Sequence, residues 1–328
     1  MISPSLPATL KAALDVELHG ISRSDTAARA AQISKTYRDG GGSGTIRTKV
    51  DALAYALARM PATYAAVTAC LNALIDARPD FAPPSLLDIG AGPGTATFAA
   101  TEAFPSLRDF VLLDRNSPLR ALAAELAREN TRLSKLKYSS GEARSTLAQA
   151  DAADLVIASY VIGELTEPER DELVRLAWSK TNDTLVLVEP GTPAGYVRII
   201  AARALLITNG AHVAAPCPHD SACPLTSPDW CHFAQRLARS RAHKEIKGAE
   251  LPFEDEKFSY VILTRAPVPY RPARVLAQPL VGKVEVSAKL CTAGGVAVAK
   301  VPRRDKGAYA RARRWSWGDG VPEENLTP

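Results

Sequence analysis

Leu86-Leu87-Asp88-Ile89-Gly90-Ala91-Gly92-Pro93-Gly94-Thr95 is an apolar run that ends near an aspartate, followed by three alternate glycines and then by residues that suit a helix. A strand, a tight turn and a helix in that order let bare backbone approach a bound molecule where side chains would collide. Asp88, Gly90, Gly92 and Gly94 are therefore candidate binding residues. The next apolar run, Phe110-Val111-Leu112-Leu113, ends in Asp114. A carboxylate at that strand tip can accept hydrogen bonds from both hydroxyls of a ribose, which points to an adenosine cofactor. Dinucleotide-binding turns carry their third glycine one residue later, where this chain has Thr95, and this weakens a pyrophosphate reading.

Beyond this loop, short apolar runs alternate with helical segments. Strands are expected at Ser85 to Ile89, Asp109 to Leu113, Leu155 to Ser159 and Thr184 to Val188, with a weaker one at Tyr138 to Ser140. Helices fit near Thr95 to Phe104, Pro118 to Asn130 and Glu167 to Trp178. The alternation predicts an α/β fold with a doubly wound, mostly parallel sheet. Ligands in such sheets sit at the carboxyl ends of the strands, so Tyr160, Glu164 and Glu189 are candidate pocket and catalytic residues. The structural alternative is that Glu164 caps a helix and Glu189 orders a loop.

Residues 1–84 read as a helical N-terminal region, periodic at Ala8 to Leu18 and Val50 to Leu74 and split by a flexible loop at Asp39 to Gly44. In the second stretch Leu53, Leu57, Tyr64, Val67, Leu71 and Leu74 form one apolar face, and Pro61 is expected to divide it into two helices. The core is expected over 85–210, a cysteine-bearing lobe with the remaining core strands over 211–300, and a basic, aromatic tail over 301–328, the last residues of which read as unstructured. A strand at Phe258 to Thr264 and a hairpin from Val284 to Val301, turning around Thr292 to Gly295, fall in the third of these.

Cys70 lies in an apolar helical stretch and reads as a core residue. Cys217, Cys223 and Cys231 are spaced C-x5-C-x7-C in a proline-rich segment, and Cys291 follows in the hairpin. In a reducing compartment four such thiols suggest metal thiolates over disulfides. Zinc sites favour two short C-x2-4-C knuckles, absent here, whereas iron-sulfur clusters accept wider spacing, so the pattern leans towards iron-sulfur. His212, His219 and His232 keep a mixed Cys/His zinc site open, and simple burial is the third alternative. Pro216-Cys217 has the look of a nucleophilic cysteine in cytosine-carbon methyltransferases, but the crowd of thiols argues against it.

The 328 residues, 46% hydrophobic with a formal charge of +5, are enough for a full core. No apolar run approaches the roughly 18 residues of a spanning helix, and Asp15 and Glu17 precede Arg23. The expectation is a cytoplasmic monomer with no membrane association. Lys300, Arg303, Arg304, Lys306, Arg311, Arg313 and Arg314 crowd the C-terminal segment, interleaved with Tyr309, Trp315 and Trp317. That combination suits phosphate contact with base stacking, the alternative being a solvated tail.

The glycine loop closely resembles motif I of the class I S-adenosylmethionine-dependent methyltransferases, with a Rossmann-like fold. This resemblance implies that the loop holds the methionine end of the cofactor and Asp114 its ribose. Over most of its length the chain also resembles the methyltransferase-like assembly-factor family of the mitochondrial ribosomal small subunit, which has bacterial members. The most specific runs are Arg59-Met60-Pro61-Ala62-Thr63 and Glu189-Pro190-Gly191-Thr192-Pro193. This second resemblance implies a 4Fe-4S cluster on Cys217, Cys223, Cys231 and Cys291, and association with the small subunit and its rRNA. No Asn-Pro-Pro-Tyr-type run and no clear base or nucleophile stands out, so rRNA methylation and non-catalytic subunit assembly both stay open, as does a small-molecule or protein acceptor.

Overall fold

Three helices precede the sheet: α1 (Ala8–Glu17), α2 (Arg23–Arg38) and α3 (Lys49–Ala77). The structure, a computed structural model, describes residues 1–133, 136–141 and 143–322. α3 starts at a capping box in which Thr48 and Asp51 exchange hydrogen bonds, and Arg29 of α2 reaches the same carboxylate at 2.6 Å. Two expectations for α3 are corrected. It runs unbroken through Pro61, and it is buried on all sides, with Ala52, Ala54, Ala62, Ala65 and Ala66 as enclosed as Leu53 and Leu71. Proline removes one helical hydrogen bond and crowds the preceding turn. Here packing against several neighbours holds both flanks in line, and the small alanines let those neighbours approach closely. The polar α2 escaped periodicity because it buries little more than Thr26, Ala30 and Ile33.

The alternating segment then runs β1 (Ser85–Ile89), α4 (Thr95–Ala103), β2 (Asp109–Asp114), α5 (Ser117–Ala127), β3 (Lys137–Ser140), α6 (Ala143–Gln149), β4 (Ala153–Ser159), α7 (Glu167–Ser179), β5 (Thr181–Pro190) and α8 (Pro193–Ile207). It continues through β6 (His212–Ala215), β7 (Phe233–Ala238), α9 (Arg241–Lys247) and β8 (Phe253–Thr264). The sheet order is β3-β2-β1-β4-β5-β8-β6, with β7 also paired to β8. Strands β3 to β5 are parallel, and β8 runs antiparallel to β5, β6 and β7. The result is a mixed α/β sheet of Rossmann-like type. Its order reverses between β1 and β4, and such a switch point opens a crevice at the strand tips. The central strands read as unbroken apolar runs because helices cover both faces: α3, α4 and α5 pack on one side, α7 and α8 on the other.

A second sheet is built from β9 (Ala273–Val275), β10 (Leu280–Val281), β11 (Glu285–Thr292) and β12 (Gly295–Pro302), with α10 (Lys306–Ala312) and β13 (Gly320–Val321) after them. Its order is β10-β11-β9-β13, and β12 pairs with β11 as a hairpin closed at Thr292 and Gly295. Val275, Ala288, Leu290 and Val321 form one small core, Val286, Val301 and Ala312 another, and Trp315 packs against both. The segment after Val301 is structured up to Pro322, and the last residues, 323–328, read as unstructured from the sequence, lie outside the described residues. The loop at Asp39 to Gly44 is also tied down, because the Asn116 amide donates to the carbonyls of Ser43 and Ile46 at 2.9 and 3.0 Å.

The enclosure of α3 gives a direct test. Ala66 lies on the side that a one-faced helix would turn outward, yet it is fully buried. Ala66→Leu should destabilise the chain by about 1–3 kcal/mol through overpacking, read from urea unfolding. A change within about 0.5 kcal/mol, typical of an exposed site, would contradict this packing.

Candidate cofactor edge and cysteine cavity

At the tip of β1 the backbone takes the conformation that its glycines allow. Gly90, Gly92 and Gly94 have φ of 67°, 55° and 79°. A Cβ on Gly90 would lie 2.5 Å from Val161, so the approach between the β1 and β4 tips leaves no room for a side chain. The N–H groups of Gly90 and Ala91 both donate to the Leu113 carbonyl, at 2.8 and 3.1 Å. Asp114 then accepts from the Gly92 N–H at 2.8 Å and the Asn116 N–H at 2.7 Å. These bonds orient the carboxylate, and burial pushes its pKa up against them. Sequence reasoning missed two supports of the loop: the Tyr138 hydroxyl donates to the Gly92 carbonyl at 2.6 Å, and Asn116 caps α5.

Asp88 lies beneath the loop, fully buried, where it accepts from the Thr97 N–H and hydroxyl at 3.1 and 2.7 Å. Its other oxygen has no partner. Burial raises its pKa to about 7, and nearby Asp114 adds to the rise while Thr97 opposes it. Asp88 thus anchors α4 to β1 from within.

The three candidate catalytic residues each make internal contacts. Tyr160 holds a positive φ of 57° at the β4 tip, a strained conformation for a bulky residue. Its hydroxyl donates to Glu256 at 3.0 Å, and Arg59 from α3 reaches the same carboxylate at 3.3 Å. Burial holds the Tyr160 hydroxyl protonated, well above its ordinary pKa. Glu189 is fully buried, paired with Arg198 at 2.7 Å and in contact with the Gly163 N–H at 3.3 Å. Glu164 abuts Gly42, leaving no room for a Cβ there. The structure therefore gathers Gly90 to Gly94, Asp114, Tyr160 and Glu164 around the switch point, under the segment that joins α2 to α3.

Cys217, Cys223, Cys231 and Cys291 line one cavity, brought together from the turn after β6, the following loop, the lead-in to β7, and β11. Tyr196, Arg203, Ser259, Tyr260 and Arg274 complete its polar wall. Burial, reinforced by the neighbouring thiols, pushes the Cys231 thiol well above its usual pKa and that of Cys291 to about 12. Cys217 is raised by burial too, with Arg203 opposing the rise. The histidines are engaged otherwise. His212 meets Asp220 at 3.2 Å, His232 stacks on Trp230 and meets Trp317 edge-on, and His219 lies 3.8 Å from the Cys291 sulfur. Among the described residues, no three His, Cys, Asp or Glu side chains are grouped tightly enough to hold a single metal ion. Cys70 is enclosed in α3, away from this cavity.

The sequence pattern of the family described as "Mitochondrial small ribosomal subunit Rsm22" matches residues 49–322. The chain belongs to the Rsm22 family. It is 31% identical over 300 residues to the human "Ribosome assembly protein METTL17, mitochondrial", covering 84% of this chain and 63% of that protein. It is 27% identical over 332 residues to a Schizosaccharomyces pombe "Rsm22-cox11 tandem protein 2, mitochondrial", covering 85% and 44%. The chain thus spans less than two thirds of the length of these relatives. Similar solved structures include an O-methyltransferase family protein from Burkholderia thailandensis (TM-score 0.44, 13% identity, 66% of this chain and 60% of that one). Another is a magnesium protoporphyrin IX methyltransferase from Synechocystis with bound SAM (TM-score 0.41, 14% identity, 71% and 90%). At these values the overlap adds nothing to what the sheet topology establishes.

In this Rsm22-family chain the C-terminal aromatics are half-buried. Trp315 packs in the second sheet, Trp317 against the main core, and the Tyr309 hydroxyl donates to Gly282. The basic residues from Lys300 to Arg314 remain exposed.

Asp88 supplies a pH signature. The folded chain keeps its proton up to about pH 7, whereas an unfolded aspartate releases it near pH 4. This group's contribution to stability is therefore fullest below about pH 4, falls as pH rises towards about 7, and is level above that. Asp88→Asn keeps an acceptor for Thr97 and removes the titration. Melting temperatures followed from pH 4.5 to 8 should decline more steeply in the parent than in the variant, and parallel profiles would refute the assignment.

Proposed function

We propose that this chain binds S-adenosylmethionine at the β1, β2 and β4 tips and works on or with the small ribosomal subunit, in the cytoplasm. The observation that carries the cofactor reading is the pairing of three left-handed glycines with Asp114, whose two oxygens are aimed by backbone N–H groups. Each of those oxygens keeps a lone pair for a ribose hydroxyl. Gly90 to Gly94 would face the methionine end, and when bound the cofactor supplies a methyl group already activated as a sulfonium. What remains for the protein is to align an acceptor with it and exclude water. The family description and the name of the human relative support subunit association. The exposed cations from Lys300 to Arg314 suit contact with rRNA phosphates.

Cys217, Cys223, Cys231 and Cys291 would hold a 4Fe-4S cluster, with zinc as the rival metal. Three features support the fit: four thiols on one cavity, no Asp or Glu in its wall, and a buried Arg203 Nε with no partner. Four thiolates carry negative charge, which such a wall suits.

Within this reading, subunit assembly without methyl transfer is favoured by one observation. Tyr160 and Glu189, two of the groups best placed to move a proton, are committed to Glu256 and Arg198. Incubation of the chain with small subunits and methyl-labelled cofactor tests the choice. Subunit binding without label is the expected result. Label at one rRNA nucleotide would establish methylation, label in another acceptor would redirect the substrate assignment, and failure to bind subunits would overturn the ribosomal reading.

A further inference from the structure

The cysteine cavity carries two positive charges without a counter-charge. Arg203 lies on the buried face of α8 in line with Tyr196 and Ile199, and is 3% exposed. Its Nη2 donates to the His219 carbonyl at 2.7 Å, while its Nε is buried without a partner. Arg274 comes from β9, where it is the register partner of Cys291. Its guanidinium donates to the carbonyls of Pro216 and Gly318 at 3.1 and 2.9 Å. Neither arginine forms an ion pair among the described residues, and the cavity wall contains no carboxylate.

A buried cation, Arg203, and a half-buried one, Arg274, both satisfied only by carbonyl dipoles, are costly unless the cavity is built for an anion. A second feature points the same way. The Tyr196 hydroxyl lies 3.2 Å from the Cys223 sulfur, within hydrogen-bond reach. A sulfur bound as thiolate has no proton to give, so in the four-thiolate site the hydroxyl is the donor.

We propose that Arg203, Arg274 and Tyr196 are positioning residues that set the reduction potential of the cluster, keeping its reduced form accessible. This rests on the four-thiolate cluster reading above. Potentials of iron-sulfur clusters follow net charge and hydrogen bonds to sulfur. Adding one electron makes a four-thiolate cluster more negative, so nearby guanidinium groups and a sulfur-directed O–H favour the reduced form. Loss of any of the three should move the midpoint potential to more negative values. Cys291 and Arg274 also tie the second sheet to the cavity through the β9–β11 register.

The experiment uses the full chain purified without oxygen, together with Tyr196→Phe, Arg203→Met, Arg203→Lys and Arg274→Met. Iron and acid-labile sulfide are measured first. Midpoint potentials are then read by visible absorption and electron paramagnetic resonance during titration with dithionite, which donates the electron. Tyr196→Phe should retain the parent's iron content with a more negative midpoint, and Arg203→Met should shift further the same way. Arg203→Lys, which keeps the charge, should fall back towards the parent. An iron-loaded parent whose Tyr196→Phe and Arg274→Met variants share its midpoint would overturn the proposal and leave the cluster reading intact. A parent containing zinc, or no metal and no sulfide, would overturn the cluster reading and the proposal with it. Should Arg203→Met fail to fold, Tyr196→Phe decides, because it removes one hydroxyl and leaves the apolar packing of the ring unchanged.

Discussion

The burial of α3 along most of its length, on every side, is the constraint on which the rest depends. A helix of 29 residues with apolar or small side chains on every side cannot sit at a surface. It must run through the interior, and the sheet, α2, α4, α5 and α9 gather around it. Its ends and middle place charge where the site needs order. Asp51 at its start is held by Arg29, Arg78 just past its end pairs with Asp183 and Thr184 in β5, and Arg59 reaches across to Glu256 and the ring of Tyr160. The N-terminal region is therefore a structural part of the sheet domain.

That arrangement explains why the cofactor edge is preformed. Gly90 and Gly92 owe their positions to backbone bonds that do not involve any ligand: Leu113 accepts from the first, and Asp114 from the second. Tyr138 closes the loop from the neighbouring strand, and Asn116 connects the same corner to Ser43 and Ile46 ahead of α3. A binding edge fixed this way loses little conformational entropy when occupied. The cysteine cavity is organised on a different principle. Its backbone comes from separate parts of the chain, and two guanidinium groups reach it from α8 and β9 with no carboxylate in its wall.

Much of this was legible from local sequence because local rules governed it. Alternating glycines after an apolar strand have few uses, and Asp114 follows the next strand at the distance a crossover helix requires, so the loop and its acidic partner could be read together. The cysteines could be grouped because three of the five crowd one proline-rich, poorly periodic segment and a fourth follows in the hairpin. Other features depended on residues distant in sequence. Pro61 obeys a rule about isolated helices, and tertiary packing overrode it. Glu256 lies 197 positions from Arg59 and carries no signal that links it to Tyr160. Arg203 is a charged residue in an apolar helix, and its sequence neighbours cannot reveal that it turns inward to a cavity lined by sulfur. The contacts of the C-terminal aromatics were hidden for the same reason: Trp315 and Trp317 pack against partners as remote as Leu290 and His232.

The central claim is that the glycine edge and Asp114 form a pocket for S-adenosylmethionine. Titration calorimetry of the full chain with this cofactor, with its demethylated product and with NADH, repeated on Asp114→Ala, tests it most directly. The account predicts single-site binding of the first two, no detectable heat with NADH at the same concentrations, and affinity reduced about tenfold or more in the variant, as expected for loss of charged hydrogen bonds of about 1.5–3 kcal/mol. Binding of NADH in preference to the sulfonium cofactor, or an Asp114→Ala variant that binds as the parent does, would contradict it.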